Sequence, residues 1–340
     1  MAGRSCSGLR RLGLVLLLAA AACAPRLAPP GPGPVAPRLD EIAGDFQARD
    51  GTRLPMRAWL PKEASPKALI LALHGFNDYS HAFAAPGLYL AMRDIATFAY
   101  DQRGFGKAPH RGLWPGSDVL RADLVDAART LRARYPGVPL YLLGDSMGGA
   151  VVIAAVTGPE VMPVDGIILA APAVWARSAM PLPHRVALWI GAHTVPWMDV
   201  SGRGLDIQAS DNIEMLRALG RDPLVIKETR IDAVHGLVDL MDRALAAAPN
   251  LHAPALLLYG EKDEVIPAAP ILRLWHDLPA GARENQRRAL YANGWHMLLR
   301  DLQARVVLDD IAHWIADPRA PLPSGAEAQA LARLDAAAAD

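Results

Sequence analysis

The sequence predicts an α/β fold in which a mostly parallel central sheet is flanked by helices and carries a helical cap, inserted after the sixth strand. Two observations predict the sheet: short, continuous apolar runs recur along the chain, and helical patterns separate them. The cap is predicted because this alternation stops at Pro172 and returns only at Leu237. No repeat of fixed period is visible, so one domain with an insertion accounts for the chain.

Each element follows from a local pattern. Residues 67–73 (KALILAL) are typical of a buried strand, and residues 118–135 place apolar side chains on one helix face. Asp50-Gly51 indicates a hairpin, and Pro55, which has no backbone N–H, predicts that the second hairpin strand lies at an edge. The strands are expected at 45–48, 53–60, 67–73, 97–100, 139–143, 166–170, 254–259 and 288–291, and the helices at 82–95, 118–135, 147–156, 237–248, 268–277 and 302–315.

The chain divides into six predicted segments. They are a signal peptide (1–22), a Pro-rich tether (23–40), the first part of the α/β core (41–173), a helical cap or lid (174–235), the second part of the core (236–316) and an Ala-rich tail (317–340).

The first residues have the pattern of an export signal. Arg4, Arg10 and Arg11 precede an apolar run of 11 residues, 12–22, which is too short to span a bilayer. Ala20, Ala21 and Ala22 directly before Cys23 resemble a bacterial lipoprotein cleavage box, in which Ala20 replaces the usual Leu. We therefore expect an acylated Cys23 that anchors the protein to a membrane of the cell envelope, facing the periplasm if there are two membranes. An ordinary signal peptide, cleaved at Ala-x-Ala, is the alternative.

Composition excludes several classes of function. Removing 1–22 takes away Cys6 and three arginines, which leaves one cysteine, no possible intrachain disulfide, and 32 basic against 35 acidic side chains, a net charge of −3. No basic run, zinc pattern or phosphate-binding loop is present, so we expect no nucleic-acid partner, no metal and no organic cofactor. The oligomeric state stays open.

The strongest functional signal is 142–152 (LLGDSMGGAVV), where a buried strand meets a buried helix. Ser146 lies in a Gly-x-Ser-x-Gly turn, in which the glycines let the strand and the helix pass without Cβ clashes. Such a turn exposes the serine hydroxyl above the sheet and suits a nucleophile. A tight turn without chemistry is the alternative.

A serine nucleophile needs a base and a group that orients the base, and both should lie at the carboxyl ends of strands. The strand 254–259 leads into 260–267 (GEKDEVIP), where we favour Asp263 as the acid over Glu261 and Glu264. His296 directly follows the last strand and is the expected base. The two other histidines beyond Asp263 fall inside helical patterns, at His276 and His313.

An oxyanion hole needs two backbone N–H groups that point at the developing negative charge. Met147, the residue after the nucleophile, is expected to supply one. Phe76, in the loop after an early strand, is expected to supply the other, because Gly75 lets the backbone approach the site. His74 is interpreted as a residue that shapes this loop rather than as a general base.

Five motifs together resemble the α/β-hydrolase superfamily, and within it the monoacylglycerol lipase and lysophospholipase group, which is classed by sequence with the serine aminopeptidases. They are HGF (74–76), YDQRGFG (100–106), GDSMGG (144–149), GEKDEVIP (260–267) and NGWH (293–296). The resemblance covers about residues 45–316. It implies a triad of Ser146, Asp263 and His296, oxyanion donors at Phe76 and Met147, and structural roles for Asp101 and Arg103. The chain departs from the lipases at 74–79, where they often have His-Gly-x-x-Glu-His.

The residues and the resemblance predict a serine hydrolase that cleaves carboxylic esters, of monoacylglycerol or lysophospholipid type, through an acyl-enzyme on Ser146. The expected partners are a small ester or lipid substrate and, through the lipid anchor, a membrane. A small-ester or thioester hydrolase is one alternative. The other is a non-catalytic, lipid-binding lipoprotein on the same fold, although such proteins typically lose a member of the triad.

The cap is expected to form a lid over the substrate. Val186, Trp189 and Ile190 recur at spacings of three and four, and Trp197 belongs to a second apolar cluster. These four residues predict an apolar inner face that binds one acyl chain. Simple packing onto the catalytic domain is the alternative.

Overall fold

The structure is a computed structural model and describes residues 24–40, 44–62 and 65–339. The predicted signal peptide and Cys23 lie outside the described residues. The strands are β1 Arg38–Asp40, β2 Asp45–Gln47, β3 Arg53–Trp59, β4 Ala68–Leu73, β5 Ile95–Tyr100, β6 Leu140–Asp145, β7 Gly166–Ala170, β8 Asp199–Val200, β9 Thr229–Arg230, β10 Ala255–Gly260 and β11 Gln286–Tyr291. The helices are α1 Ala84–Ala91, α2 Ser117–Arg134, α3 Met147–Val156, α4 Leu182–Thr194, α5 Ile213–Arg221, α6 Ile231–Ala246, α7 Ala268–Asp277, α8 Ala304–Ala316 and α9 Ala326–Ala339.

The central sheet has the order β1-β2-β3-β5-β4-β6-β7-β10-β11. The strands from β5 to β11 in this order are parallel, and β1, β2 and β3 form an antiparallel edge. Side chains of β4 alternate between the two faces: Leu69, Leu71 and Leu73 join a core with α2, α3 and α6, while Ile70 and Ala72 join a core with α1 and α8. Because both faces are covered, the central strands read as continuous apolar runs. The predicted fold class is confirmed.

Several predicted elements match the structure closely. The ranges 147–156, 166–170 and 268–277 coincide with α3, β7 and α7. α6 begins at Ile231, six residues before the predicted start and inside the predicted cap. The helix predicted at 82–95 ends at Ala91, because the chain turns at Asp94 with a positive φ of 62° before β5 begins.

The prediction that Pro55 lies on an edge strand is wrong, because β3 pairs with β2 on one side and with β5 on the other. The carbonyl oxygen of Pro55 accepts a hydrogen bond from the Asp101 N–H at 2.8 Å, just beyond the end of β5. In an antiparallel strand the N–H and C=O of one residue point to the same side. An N–H on residue 55 would therefore lie beyond the last residue pair of β3 and β5, so the proline does not interrupt the pairing of these strands.

The segment predicted as a tether lies against the domain in its described part, residues 24–40. Backbone N–H groups of Ala28, Gly33 and Val35 donate to the carbonyl oxygens of Trp114, Asp50 and Arg49 at 2.8–2.9 Å. Its last residues form β1. The sequence does not predict this strand, because three residues next to a proline-rich segment are too few to show a strand period. With β1 counted, the cap follows the seventh strand rather than the sixth.

The cap lies between β7 and α6 and contains α4 and α5. The sequence predicts no strand in it, and this is wrong, since β8 and β9 pair as a short antiparallel ribbon. At the other end of the chain, the predicted tail forms α9, whose Ala330 is buried in the core. Among the helices of the described ranges, none is long and apolar enough to cross a bilayer.

Candidate active site

Ser146 occupies a strained turn between β6 and α3. Its φ of 50° and ψ of −113° lie in a region that residues with a side chain rarely adopt. A Cβ on Gly144 would lie 2.5 Å from the Cα of Gly149, and a Cβ on Gly148 would meet the carbonyl oxygen of Leu73 in the neighbouring strand. The glycines are therefore required by close packing, and the turn aims Ser146 at the carboxyl edge of the sheet.

Three side chains from three strand ends form one chain of hydrogen bonds. His296 Nε2 lies 3.0 Å from Ser146 Oγ, and His296 Nδ1 lies 2.8 Å from Asp263 Oδ2. The other carboxylate oxygen of Asp263 accepts hydrogen bonds from the N–H groups of Val265 and Ile266 at 2.8 and 2.9 Å. The histidine and aspartate side chains are 9% and 0% exposed, so water does not compete for these bonds.

The surroundings of His296 favour its protonated form. Burial alone lowers the pKa of His296, but the charge and hydrogen bond of Asp263, with the charge of Asp145, outweigh burial and raise the pKa overall, while Arg300 opposes the rise. An imidazole in this position can accept the Ser146 proton and remain stable as an imidazolium.

The loop that carries His296 is held in place by Asp301. This carboxylate accepts a hydrogen bond from the Trp295 N–H at 2.8 Å and another from the Ser210 hydroxyl at 2.6 Å. The N–H of Met297 donates to the Ala209 carbonyl at 3.0 Å. The C-terminal part of the cap therefore fixes the histidine loop from both sides of His296.

The expected oxyanion donors belong to the two chain segments that meet at the nucleophile, the loop after β4 and the start of α3. Neither the Phe76 N–H nor the Met147 N–H donates to another group of the described chain, and Gly75 lies so close to Ser146 that a Cβ there would be 3.4 Å from the serine Cβ. Met147 is the first residue of α3, so the helix dipole also points at the site. Both ring nitrogens of His74 are occupied by the backbone, through the Gly75 carbonyl and the Gln102 N–H.

Three charged residues of the site were not singled out by sequence reasoning. Asp145 precedes the nucleophile, and its burial raises the pKa of its carboxyl to about 6. Arg300 pairs with Asp78 at 2.7 Å, with side chains 11% and 9% exposed. The only signals available were the polar Asp145 beside Ser146 and the Asp78 that departs from the lipase motif. Within the described ranges, no cluster of three or more His, Cys, Asp or Glu could hold a metal ion.

The four cap residues expected to bind an acyl chain do not form an inner face. Val186, Trp189, Ile190 and Trp197 are 47%, 61%, 48% and 50% exposed. Ala192 is the buried residue of α4, because small side chains let this helix approach α6. The expected enclosed lining of the substrate pocket by these residues is therefore corrected: all four side chains are largely exposed to solvent.

The YDQRGFG motif braces the core, as the resemblance implies. Arg103 makes paired hydrogen bonds to the carboxylates of Asp50 and Asp123 at 2.6–2.8 Å. Asp101 accepts from the N–H and hydroxyl of Ser80 at 3.0 and 2.5 Å. These contacts fix the loop after β5 without contacting the nucleophile.

Comparison with known proteins gives one consistent result. Residues 64–303, more than half of the chain, match the family described as serine aminopeptidase, S33. The chain is 29% identical over 275 residues to a monoglyceride lipase of Rattus norvegicus, covering 78% of this chain and 88% of the relative. It is 27% identical over 283 residues to a monoacylglycerol lipase of Mycolicibacterium smegmatis, covering 79% and 95%. A structure of a Saccharomyces cerevisiae monoglyceride lipase with a substrate analogue has a TM-score of 0.66 at 19% identity, covering 86% and 99%.

Proposed function

The chain belongs to the serine aminopeptidase, S33, family and has the α/β-hydrolase fold, and on this premise we propose that it hydrolyses carboxylic esters of monoacylglycerol type through an acyl-enzyme on Ser146. The observation that carries the proposal is the chain of hydrogen bonds from Asp263 through His296 to Ser146. The curated relatives named as monoglyceride or monoacylglycerol lipases support this class of substrate.

In the proposed mechanism, Ser146 Oγ attacks the ester carbonyl carbon while His296 Nε2 takes the hydroxyl proton. The carbonyl oxygen becomes an oxyanion, which the N–H groups of Phe76 and Met147 stabilise. When the C–O bond to glycerol breaks, His296 returns the proton to the leaving alkoxide. Water then attacks the acyl-enzyme by the same route, which releases the fatty acid and restores Ser146.

A substrate panel tests the proposed substrate class. Each methylene that the enzyme buries contributes about 0.8 kcal/mol, so we expect kcat/KM to rise several-fold per carbon from acetate to octanoate p-nitrophenyl esters. Monoacylglycerol should be cleaved faster than triglyceride, with lysophospholipid as the second candidate substrate. Ser146→Ala is the control, and activity in that variant would reject the nucleophile. Rates that stay flat or fall with chain length would leave a small-ester or thioester hydrolase.

A non-catalytic binding protein on the same fold is the alternative of another class. The intact hydrogen bonds of Ser146 argue against it, since a binding module has no need of an activated hydroxyl. A fluorophosphonate probe decides the matter: we expect the folded chain to be labelled and Ser146→Ala to stay unlabelled.

For localisation, we propose that residues 1–22 are removed and that Cys23 is acylated, which anchors the enzyme to a membrane of the cell envelope. The support is the basic start, the short apolar run and the alanines before Cys23. Mass spectrometry of the N-terminal peptide should find an acylated Cys23. The control is a Cys23→Ser protein made in the same host. If this variant stays with the membrane fraction after a high-salt wash, another feature anchors the protein.

A further inference from the structure

His74 is completely buried directly after β4, and no step of the proposed mechanism uses it. Its ring packs edge-on against Phe105, with the ring centroids 5.6 Å apart. Burial lowers the pKa of His74, so the ring is neutral near pH 7. A neutral imidazole has one N–H and one bare nitrogen, and the groups that the ring contacts decide which nitrogen carries the proton.

The two hydrogen-bond partners of the His74 ring permit one tautomer. Nδ1 lies 2.8 Å from the carbonyl oxygen of Gly75, which can only accept, so Nδ1 must carry the proton. Nε2 lies 3.0 Å from the backbone nitrogen of Gln102, whose N–H can only donate, so Nε2 must be bare. A protonated ring would lose the bond from Gln102. Backbone groups on both sides therefore fix His74 as a donor through Nδ1.

The carbonyl that accepts this proton belongs to the same peptide unit as the proposed oxyanion donor. The Gly75 C=O and the Phe76 N–H are opposite ends of one trans peptide unit, so they point in opposite directions. With the carbonyl held at the His74 ring, the Phe76 N–H points away from the ring, and it donates to no other group of the described chain. This peptide unit lies beside the nucleophile, since a Cβ on Gly75 would be 3.4 Å from the Ser146 Cβ.

The other end of this chain of hydrogen bonds is held by the loop after β5. Gln102 is completely buried, and its side-chain amide donates to the backbone carbonyl of His74 at 2.8 Å. Gln102 therefore holds both the ring and the backbone of His74. The next residue, Arg103, is fixed by its paired bonds to Asp50 and Asp123. The loop after β5 thus reaches the active site through His74, although it does not contact the nucleophile.

We propose that Gln102, His74 and the Gly75–Phe76 peptide form a relay of hydrogen bonds that aims and polarises the Phe76 N–H, which makes His74 a positioning residue for the oxyanion hole. The proposal rests on the proposed function and on Phe76 as a donor. No proton moves along the relay. Each bond draws electrons from the next donor, so the Phe76 N–H becomes a stronger donor than an isolated amide. The gain is largest when the substrate carbonyl becomes an oxyanion, so His74 should affect kcat rather than KM.

Three substitutions of His74 separate the Nδ1 donor from the shape of the ring. His74→Asn keeps an N–H donor at about the position of Nδ1, His74→Gln places its amide near Nε2, and His74→Phe keeps a ring without nitrogens. We expect Gln and Phe to lower kcat for p-nitrophenyl butyrate at least about tenfold, towards the roughly 10²–10³-fold loss of a missing oxyanion donor. KM should change less than about twofold, and Asn should keep kcat within about threefold of the parent.

Two controls exclude a loss of folded enzyme as the cause. Fluorophosphonate titration to completion counts the active sites, so that kcat is given per site, and circular dichroism checks folding. His81→Phe is the matched control, because His81 is an exposed histidine in the same segment after β4 and should leave kcat unchanged. If His74→Phe keeps more than half of the parent kcat, or if Asn and Gln lose equally, the relay is wrong.

A trifluoromethyl ketone inhibitor tests the oxyanion directly. Ser146 adds to its carbonyl and forms a tetrahedral adduct, whose negatively charged oxygen occupies the oxyanion hole. Across the three variants, its inhibition constant should rise in proportion to the fall in kcat/KM. An inhibition constant that stays constant while kcat falls would show that His74 does not act on the oxyanion.

Nuclear magnetic resonance tests the relay in the unsubstituted chain, so the result does not depend on whether a variant folds. With ¹⁵N in glutamine backbones and histidine rings, we expect a coupling across the hydrogen bond between the Gln102 amide nitrogen and a bare Nε2 of His74. The same ring should carry its proton on Nδ1 and should not titrate between about pH 5 and pH 9. A proton on Nε2, or a ring that titrates in this range, would overturn the relay. A parent chain that shows this tautomer but hydrolyses no ester would instead reject the proposed function.

Discussion

Replacing Asp263 with Asn changes one atom of the hydrogen-bonded chain and leaves its geometry in place. The Asp263 oxygen that accepts from the Val265 and Ile266 N–H groups, at 2.8 and 2.9 Å, fixes which way an amide would sit. The amide oxygen would take that position, so the NH₂ group would face His296 Nδ1. This ring nitrogen would then have to accept a hydrogen bond, so the proton of the neutral ring would lie on Nε2. A protonated Nε2 could no longer accept the proton of the Ser146 hydroxyl.

The expected loss combines a wrong tautomer with a missing charge. The Asp263 side chain is fully buried and 2.8 Å from His296 Nδ1, so solvent does not screen its stabilisation of the imidazolium. In serine hydrolases of other folds, the same substitution lowers kcat by about 10⁴, which corresponds to about 5.5 kcal/mol of transition-state stabilisation. We expect a loss of the same order for Asp263→Asn.

The assay is kcat for a soluble p-nitrophenyl ester, with circular dichroism to confirm that the variant is folded. Glu261→Gln is the matched control, because Glu261 is an exposed carboxylate in the same loop and its loss should change kcat by less than about twofold. An Asp263→Asn enzyme that keeps more than a tenth of the parent kcat would refute the assigned role, and a large loss in Glu261→Gln would point to the wrong acid.

Other substitutions separate electrostatics, stability and positioning. Asp145→Asn removes a charge that raises the pKa of His296, so the acid limb of the kcat/KM profile should move to lower pH, and an unmoved limb would exclude this influence. Burial raises the pKa of Asp145 to about 6, so ionisation of this carboxyl lowers the free energy of unfolding as the pH rises from about 4 to 6. In urea unfolding, Asp145→Asn should therefore raise the free energy of unfolding by on the order of 2 kcal/mol at pH 8 and by almost nothing at pH 4. Arg103→Leu leaves the carboxylates of Asp50 and Asp123 without their cationic partner, so the free energy of unfolding, measured in urea, should fall by about 3–5 kcal/mol. A fall below about 1 kcal/mol would show that these ion pairs contribute little to stability. Thr229→Val breaks the bond from Asn77 and should lower kcat up to about tenfold with little change in KM, and Thr229→Ser should restore it if positioning is the cause.

Where a local pattern decides the structure, the sequence was sufficient. Gly144, Gly148 and Gly149 are required within one turn of chain, so the elbow around Ser146 can be recognised without knowing the rest of the fold. The buried parallel strands are equally local, because a strand covered on both faces is apolar along its whole length. His296 was also predicted from a local pattern, since among the histidines beyond Asp263 it alone lies in the loop after a strand, and the structure places its Nε2 3.0 Å from Ser146 Oγ.

Where partners are distant in sequence, the sequence was not sufficient. Arg300 and Asp78 are 222 residues apart, and no local pattern indicates that they pair. The prediction of an apolar inner face in the cap failed for a related reason. Spacings of three and four identify an apolar face of a helix, but they do not indicate which part of the protein covers that face. In α4 the residues that pack against α6 are Gly191 and Ala192, because small side chains permit a close approach of the two helices. Trp189 is left exposed to solvent.

The charges of the site give a physical reason for the proposed oxyanion hole to lie at a helix N-terminus. The carboxylates of Asp78, Asp145 and Asp263 outnumber the cations Arg300 and protonated His296, so the local field favours moving a proton onto the histidine. The same negative field opposes the oxyanion that forms when Ser146 attacks. That penalty has to be offset at the nucleophile itself, where no cationic side chain is needed if the proposed backbone N–H donors and the α3 dipole stabilise the oxyanion. The carboxylates that make His296 a stronger base therefore require the helix and loop amides to stabilise the oxyanion.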